Sequence, residues 1–266
     1  MTERNLILIR GAGDLASGIG LRLWRAGFAV VMTEIERPTT IRRTVAFSQA
    51  VIDGRCTVEE RSAQRAADPE EALTLLERGI LPVLVDPDCR CREALKPLAL
   101  VDAILAKRNL GTAMSDAPIV IGVGPGFTVG VDCHAAVETM RGHTLGRVLY
   151  CGSPLPNTNI PGLIGGFAGE RVLRAPADGV FREALRIGDR VKAGDVAGWV
   201  GDAPMLCTLD GVLRGLLASG IRVHKGMKAG DVDPRNDPDY CKTASDKALA
   251  IGGGVLEAIL HFRRLR

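Results

Sequence analysis

Gly11, Gly13 and Ala16 stand at the G-x-G-x-x-G/A spacing, in which glycines permit a tight turn and let backbone approach a phosphate at a helix N-terminus. The turn follows a short apolar run, Leu6 to Ile9, and precedes a helical stripe of Leu15, Ile19 and Leu23. A second run, Ala29 to Thr33, ends at Glu34, where the acid of this fingerprint meets a ribose hydroxyl. Asp14 opposes a plain dinucleotide reading, because its carboxylate stands where a pyrophosphate would collect N–H groups. Its alternative role is to cap the helix.

A second glycine-rich turn, IGVGPGFTVG, spans Ile121 to Gly130. Gly122, Gly124 and Gly126 alternate around Pro125, and such a loop either aims several N–H groups at one anion or makes a tight connection with no ligand. Asp102 ends another apolar run. Arg141 and His143 follow the second loop, one a cation for a phosphate and the other able to move a proton. Cys133 and His134 are adjacent, and neighbours in a regular element point apart, so a buried thiol is expected there rather than a catalytic pair. Cys89 and Cys91 form a lone C-x-C without the second pair that a structural zinc site needs, and read as an exposed loop. Asp231, Asp233, Asp237 and Asp239 match no EF-hand spacing and read as a solvated acidic turn. No metal site is expected.

The elements that must position these residues follow from the remaining pattern. Apolar runs recur at Pro82 to Val85, Leu98 to Val101, Ile119 to Val123 and Val148 to Tyr150, most of them after helical-looking segments. That alternation predicts an α/β fold, a Rossmann-like, mostly parallel sheet with helices on both faces. Ligands of such sheets bind beyond the carboxyl ends of the strands, which directs attention to Gly11–Asp14, Glu34, Asp86, Asp102 and Gly124–Gly126.

Beyond a Pro- and Gly-rich stretch, Ser153 to Gly169, a shift of 32 residues superimposes the sequence on itself. Asp178, Gly179, Val180, Arg182, Leu185, Gly188, Arg190, Val191 and Gly194 recur as Asp210, Gly211, Val212, Arg214, Leu217, Gly220, Arg222, Val223 and Gly226. Chance gives about one such identity, so the segment is a duplication. Its D-G turns and β-prone stretches predict a small all-β domain, which resembles the barrel-sandwich hybrid of biotinyl and lipoyl carriers. No Lys occurs from Ala193 to His224, which argues against a swinging-arm carrier. Thr243 and Asp246 then look like a capping-box variant opening a last helix, Ser245 to Leu265. Gly252, Gly253 and Gly254 inside it cost about 1 kcal/mol each against Ala, a loss offset if the helix backs closely onto the first domain, with Gly253 taken as the contact.

Bulk properties exclude some classes. With a net charge of +3 and 4% aromatic residues, neither the electrostatic groove nor the stacking platform of a nucleic-acid binder is supported. A hydrophobic content of 46% against 24% charged residues suits a buried core. Seven irregularly spaced cysteines suit reduced thiols in the cytoplasm. The segment Met1 to Arg10 lacks the apolar core of a signal peptide, and no stretch reads as a membrane span.

The ordered motifs GAGDLASGI from Gly11, MTEIERPTTIRRTVAF from Met32, IGVGPGF from Ile121, TMRGHTLGRV from Thr139, RAPADGVF from Arg174 and SDKALAIGGGVLEAIL from Ser245 closely resemble the YqeB-type accessory proteins of selenium-dependent molybdenum hydroxylase systems. The resemblance implies a maturation role for an enzyme similar to xanthine dehydrogenase. The implied ligand is a phosphate-bearing molybdopterin or its cytidine dinucleotide form, and the implied partners are the hydroxylase apoenzyme or other maturation factors. Cys133 is then the candidate contact to sulfur or molybdenum. The alternatives are an NAD(P)-dependent oxidoreductase and a non-catalytic interaction protein. The expected division is a cofactor-binding domain over 1–168, the duplicated domain over 169–236 and a capping loop and helix over 237–266.

Overall fold

The computed structural model describes residues 5–158 and 162–264. It is a mixed α/β protein of two compact units, one formed by Met1–Pro38, Ala46–Thr158 and Ala244–Arg266, the other by Thr39–Val45 and Asn159–Thr243. The second unit thus takes a segment from the middle of the first. No helix among the described residues is long and apolar enough to cross a membrane.

The first unit is built on a nine-stranded sheet: β1 (Leu6–Arg10), β2 (Ala29–Glu34), β3 (Arg55–Val58), β4 (Arg61–Ala66), β5 (Leu81–Val85), β6 (Ala99–Asp102), β7 (Ile119–Val123), β8 (Ala135–Val137) and β9 (Val148–Leu149). Their order is β3-β4-β5-β2-β1-β6-β7-β8-β9. Every pairing from β4 to β8 is parallel, and only the edge strands β3 and β9 run antiparallel. The order reverses between β1 and β6, which makes the carboxyl ends of these two strands the switch point. Helix α1 (Asp14–Arg25) covers the face bearing Ile9 and Met32, where both side chains reach toward Gly20. The short helix α2 (Gln49–Asp53) follows, and α3 (Pro69–Glu77) covers the opposite face with Leu8, Val31 and Leu100. A single helical turn, α4 (Arg92–Leu95), precedes β6.

The last helix, α5 (Asp246–Arg264), packs on α1; the position of Leu265, where the sequence reading ended it, lies outside the described residues. Ala248 meets Gly18, while Gly252 meets Gly18, Ile19 and Arg22, so the contact advances in the same direction along both helices and they run parallel. The cap differs from expectation: Ser245 Oγ accepts from Ala248 N–H at 3.2 Å, whereas the Thr243 hydroxyl donates to the Asp239 carbonyl. The glycine that lets the helix approach differs as well. A Cβ on Gly253 meets nothing within 4 Å, whereas one on Gly254 lies 2.2 Å from the Gly146 carbonyl oxygen and one on Gly252 lies 3.0 Å from Arg22 Cβ.

In the second unit the duplication is carried into the strand pattern. β10 (Val172–Arg174), β11 (Gly179–Glu183), β12 (Arg190–Val191) and β13 (Val196–Val200) recur 32 residues on as β14 (Ala203–Leu206), β15 (Gly211–Leu216), β16 (Arg222–Val223) and β17 (Lys228–Asp233). The two four-stranded sheets, β10-β17-β15-β12 and β14-β13-β11-β16, each take two strands from either repeat. The hydrogen bonds repeat too. Gly188 N–H donates to Leu213 O and Gly220 N–H to Phe181 O, while the Asp210 and Asp178 carboxylates accept from Ala193 and Lys225 N–H. Neither repeat can complete a sheet alone.

One feature is confined to the second repeat. Asp231 and Asp233 do not lie in a solvated turn; both are on β17 and buried, Asp231 between Arg171 (2.6 Å) and Arg214, and Asp233 between Arg214 (2.9 Å) and Arg235 (2.7 Å). Burial pushes the Asp233 carboxyl up, but hydrogen bonds from Arg235 and the charge of Arg214 outweigh it and hold the group below the usual range. The paired positions in the first repeat are Trp199 and Gly201, so the motif's symmetry gave no warning of the network.

The glycine contacts predict opposite outcomes for neighbouring substitutions. Gly253→Ala should raise stability by up to about 1 kcal/mol through helix propensity, whereas Gly254→Ala should lower it by about 1–3 kcal/mol through overpacking. Urea unfolding of both variants checks the pair.

Candidate functional site

The Gly11–Asp14 turn is fixed by its own donors. Gly11, at φ +102°, gives its N–H to the Thr33 carbonyl at 2.9 Å, and a Cβ there would lie 3.0 Å from the Ala103 carbonyl oxygen. The Ala12 N–H donates to Glu34 Oε2 at 3.1 Å, and Ile35 N–H donates to Oε1 at 2.9 Å. Glu34 therefore ties the turn to the end of β2, in contrast to the ribose-facing acid expected from the fingerprint. Burial raises its carboxyl, with the Ile35 and Ala12 N–H groups pulling the other way. The donors left for an anion are those of the first turn of α1, which have no intrahelical acceptor. Gly13 is the N-cap, extended at φ −65° and ψ −179°, and makes no side-chain cap.

The parallel packing of α5 brings a second helix N-terminus to the same edge. Positive ends of two helix dipoles thus converge where Asp14 begins α1 and Asp246 begins α5. Lys247 stands in this first turn of α5. Desolvation lowers its ammonium from the ordinary lysine value, as does the charge of Arg141, while Asp14, Glu138 and Asp246 oppose the shift. Arg141 grips Asp246 through Nη1 (2.9 Å) and Nη2 (3.2 Å). Glu138, buried after β8, accepts from Thr139 and Met140 N–H at 2.7 Å each and from Leu155 N–H at 2.8 Å. The cluster sets three carboxylates, Asp14, Glu138 and Asp246, against Arg141, Lys247 and the two positive helix ends.

Among the expected residues, the structure gathers Gly11, Gly13, Asp14, Glu34 and Arg141 here. It does not bring the others. Asp102 is fully buried at the switch point, where Arg10 Nη1 (3.2 Å) and the Thr112 hydroxyl (2.6 Å) donate to it. That ion pair engages the Asp102 carboxylate at the switch point, beside a cavity of about 200 Å³ that Arg10 and Thr112 line. The second glycine loop is a tight connection: a Cβ on Gly122 would lie 2.3 Å from the Phe127 ring, on Gly124 2.8 Å from Thr139 Oγ1, and on Gly126 2.4 Å from Arg108 Cα. Its glycines admit protein rather than ligand. His143 is exposed on the loop after β8. Cys133 is fully buried among apolar side chains, its thiol pushed up to about 11 by desolvation, and the Nδ1 of His134 accepts from Val120 N–H at 3.0 Å. Glu138 lay outside the quoted motifs, and Lys247, though within SDKALAIGGGVLEAIL, was not singled out as a site residue. Only the docking of α5 shows their place.

These features define a mixed α/β protein whose parallel-rich sheet has two helix N-termini at one edge. The chain is 54% identical over 255 residues to the uncharacterized protein YqeB of Escherichia coli (strain K12), a match covering 96% of this chain and 47% of that protein. The similarity supports the YqeB family, and the chain spans about half the length of this curated relative. No family model matches. Among solved structures, an aspartoacylase family protein from Mesorhizobium loti superimposes with a TM-score of 0.27 at 9% identity, covering 86% of this chain and 84% of that one. A succinylglutamate desuccinylase/aspartoacylase from Rhodobacter sphaeroides gives 0.23 at 28% identity over 26% of this chain and 24% of its own. Superpositions this poor carry no argument about fold or activity.

The lowered Lys247 pKa has a definite stability sign. Between its depressed folded value and the ordinary 10.5, the unfolded chain binds more protons than the folded one, so stability rises with pH across that window. Lys247→Met should lack this rise and be no less stable than the parent at neutral pH. Urea midpoints measured at stepped pH decide it.

Proposed function

We propose that the first unit binds a phosphate-bearing small molecule at the α1–α5 edge and serves the maturation of a molybdenum hydroxylase. The observation that carries the binding reading is the convergence of two helix N-termini and Lys247 on one point, at the carboxyl edge of a parallel sheet. The ligand class is drawn from the sequence motifs: molybdopterin or its cytidine dinucleotide form has phosphates that this edge suits. Cys133 lies in the core, so the fit concerns the phosphate end alone. We read the two strand-exchanged sheets as a barrel-sandwich hybrid, and in this account they present the cargo to the hydroxylase apoenzyme or another maturation factor. Lys is absent from the β13–β14 hairpin, which weighs against a covalent carrier. The nicotinamide alternative loses its chief support, since the Glu34 carboxylate is engaged by two backbone donors.

Protein purified from a host that makes molybdenum cofactor should release a pterin on denaturation, identified by mass spectrometry. Gly13→Val adds bulk where a phosphate meets α1 without backbone strain, because Gly13 is extended. It should cut retention by at least about tenfold, the value of one lost charge-assisted hydrogen bond, while melting like the parent. Release of a nicotinamide dinucleotide would contradict the proposal, and so would equal retention by the variant.

A further inference from the structure

The C-x-C pair lies on the other face of the sheet, away from the α1–α5 edge. Cys89 and Cys91 are not on an exposed loop; they are 2% and 8% exposed and pack with Leu8, Val31 and Leu100. The turn that carries them is firmly held. Cys89 N–H donates to Asp86 O (3.1 Å), Cys91 N–H donates to Asp86 Oδ2 (2.7 Å), and Arg92 Nη1 donates to Cys89 O (3.0 Å). Cys89 itself is left-handed at φ +57°, a conformation that residues with a Cβ rarely adopt and that tends to persist at functional positions. The turn sets the two cysteines two residues apart in one apolar cluster, with the Thr33 hydroxyl donating to Cys89 Sγ at 3.9 Å and Cys89 and Asp86 the neighbours that, with burial, push the Cys91 thiol up.

The two sulfurs have different surroundings. Cys89 lines a cavity of about 200 Å³ together with Arg10, Arg92, Leu110 and Thr112, whereas Cys91 is not part of that lining. Cys89 thus borders this cavity at 2% exposure, while Cys91 lies outside its lining.

We propose that Cys89 and Cys91 are a redox-active dithiol that closes to an intrachain disulfide by exchange with a small aliphatic disulfide admitted through this cavity. Cys89 loses its proton to solvent and attacks one sulfur of the reagent; a Cys89–reagent mixed disulfide forms, and the reagent thiolate that leaves takes a proton from solvent. Cys91 then attacks the Cys89 sulfur, its proton passing by way of the Asp86 carboxylate to the second reagent thiolate as that is expelled. Two protein thiols are oxidised to one disulfide while one small disulfide is reduced to two thiols. The raised pKa of Cys91, set first by the neighbouring Cys89 and then by burial, fits a resolving thiol that ionises only as its proton is taken.

The test uses the full chain in buffers of stepped 2-hydroxyethyl disulfide to 2-mercaptoethanol ratio, followed by acid quench, alkylation in denaturant and peptide mapping. The exposed Cys151 serves as the internal reference. The expected result is loss of two alkylation sites, at Cys89 and Cys91, through a disulfide joining them that dithiothreitol reverses. Cys91→Ala should accumulate a hydroxyethyl adduct on Cys89, and Cys89→Ala should leave Cys91 unmodified. The proposal is overturned if both cysteines of the parent remain fully alkylated at ratios that cap Cys151, or if the Cys89→Ala variant collects the adduct on Cys91. The parent experiment decides the main point even if a variant fails to fold.

Discussion

Backbone-level contact between α1 and α5 is the constraint on which the site depends. Gly18 and Gly252 remove the side chains that would separate the helices, and Gly254 lets α5 settle against the Gly146 carbonyl. Glycine inside a helix costs roughly 1 kcal/mol against alanine, and the close packing offsets it. Because the contact is parallel, both positive helix ends arrive at one sheet edge. An antiparallel α5 would have brought its carbonyl end there and inverted the local field. Arg141 reinforces the parallel arrangement by clasping Asp246 at the start of α5.

Acids and bases are interleaved there, three carboxylates against two cations and two positive helix ends. Asp14, Glu138 and Asp246 supply the acids, Arg141 and Lys247 the bases, and Glu138 is further satisfied by three backbone donors. At the switch point of the sheet the buried Arg10–Asp102 pair also gathers Thr112 and the Leu110 carbonyl. The proposed binding edge lies on the α1–α5 face, and Cys89 and Cys91 pack on the other face of the sheet.

Local pattern made much of this visible. The β1–turn–α1–β2 unit was legible because its apolar runs, glycines and terminal acid lie within one short stretch, and the duplication because 32-residue identities survive in the turns. The polar hairpin β3–β4 was not legible: at the sheet edge it needs little apolar alternation, and Arg55, Gln64 and Arg65 hide it. Glu34 was read correctly as the residue ending β2, but its partner, the Ala12 amide, is set by the fold of the turn. The second glycine loop looked like an anion nest, since sequence does not tell whether a glycine makes room for a ligand or for Phe127 and Arg108. Lys247 was invisible for the simplest reason: its neighbours Asp14 and Glu138 are remote in sequence and meet it only after α5 docks. The buried Asp231 and Asp233 were misread because their arginine partners come from three separate elements.

The most direct measurement of the central claim is a backbone amide NMR titration of the protein with inorganic pyrophosphate. The account predicts saturable shifts concentrated at Gly13–Ala16 of α1 and Asp246–Ala248 of α5, with the Gly122–Gly126 loop unmoved. Shifts centred on that loop or on the Arg10–Asp102 crevice, or no saturable shifts at all, would contradict it.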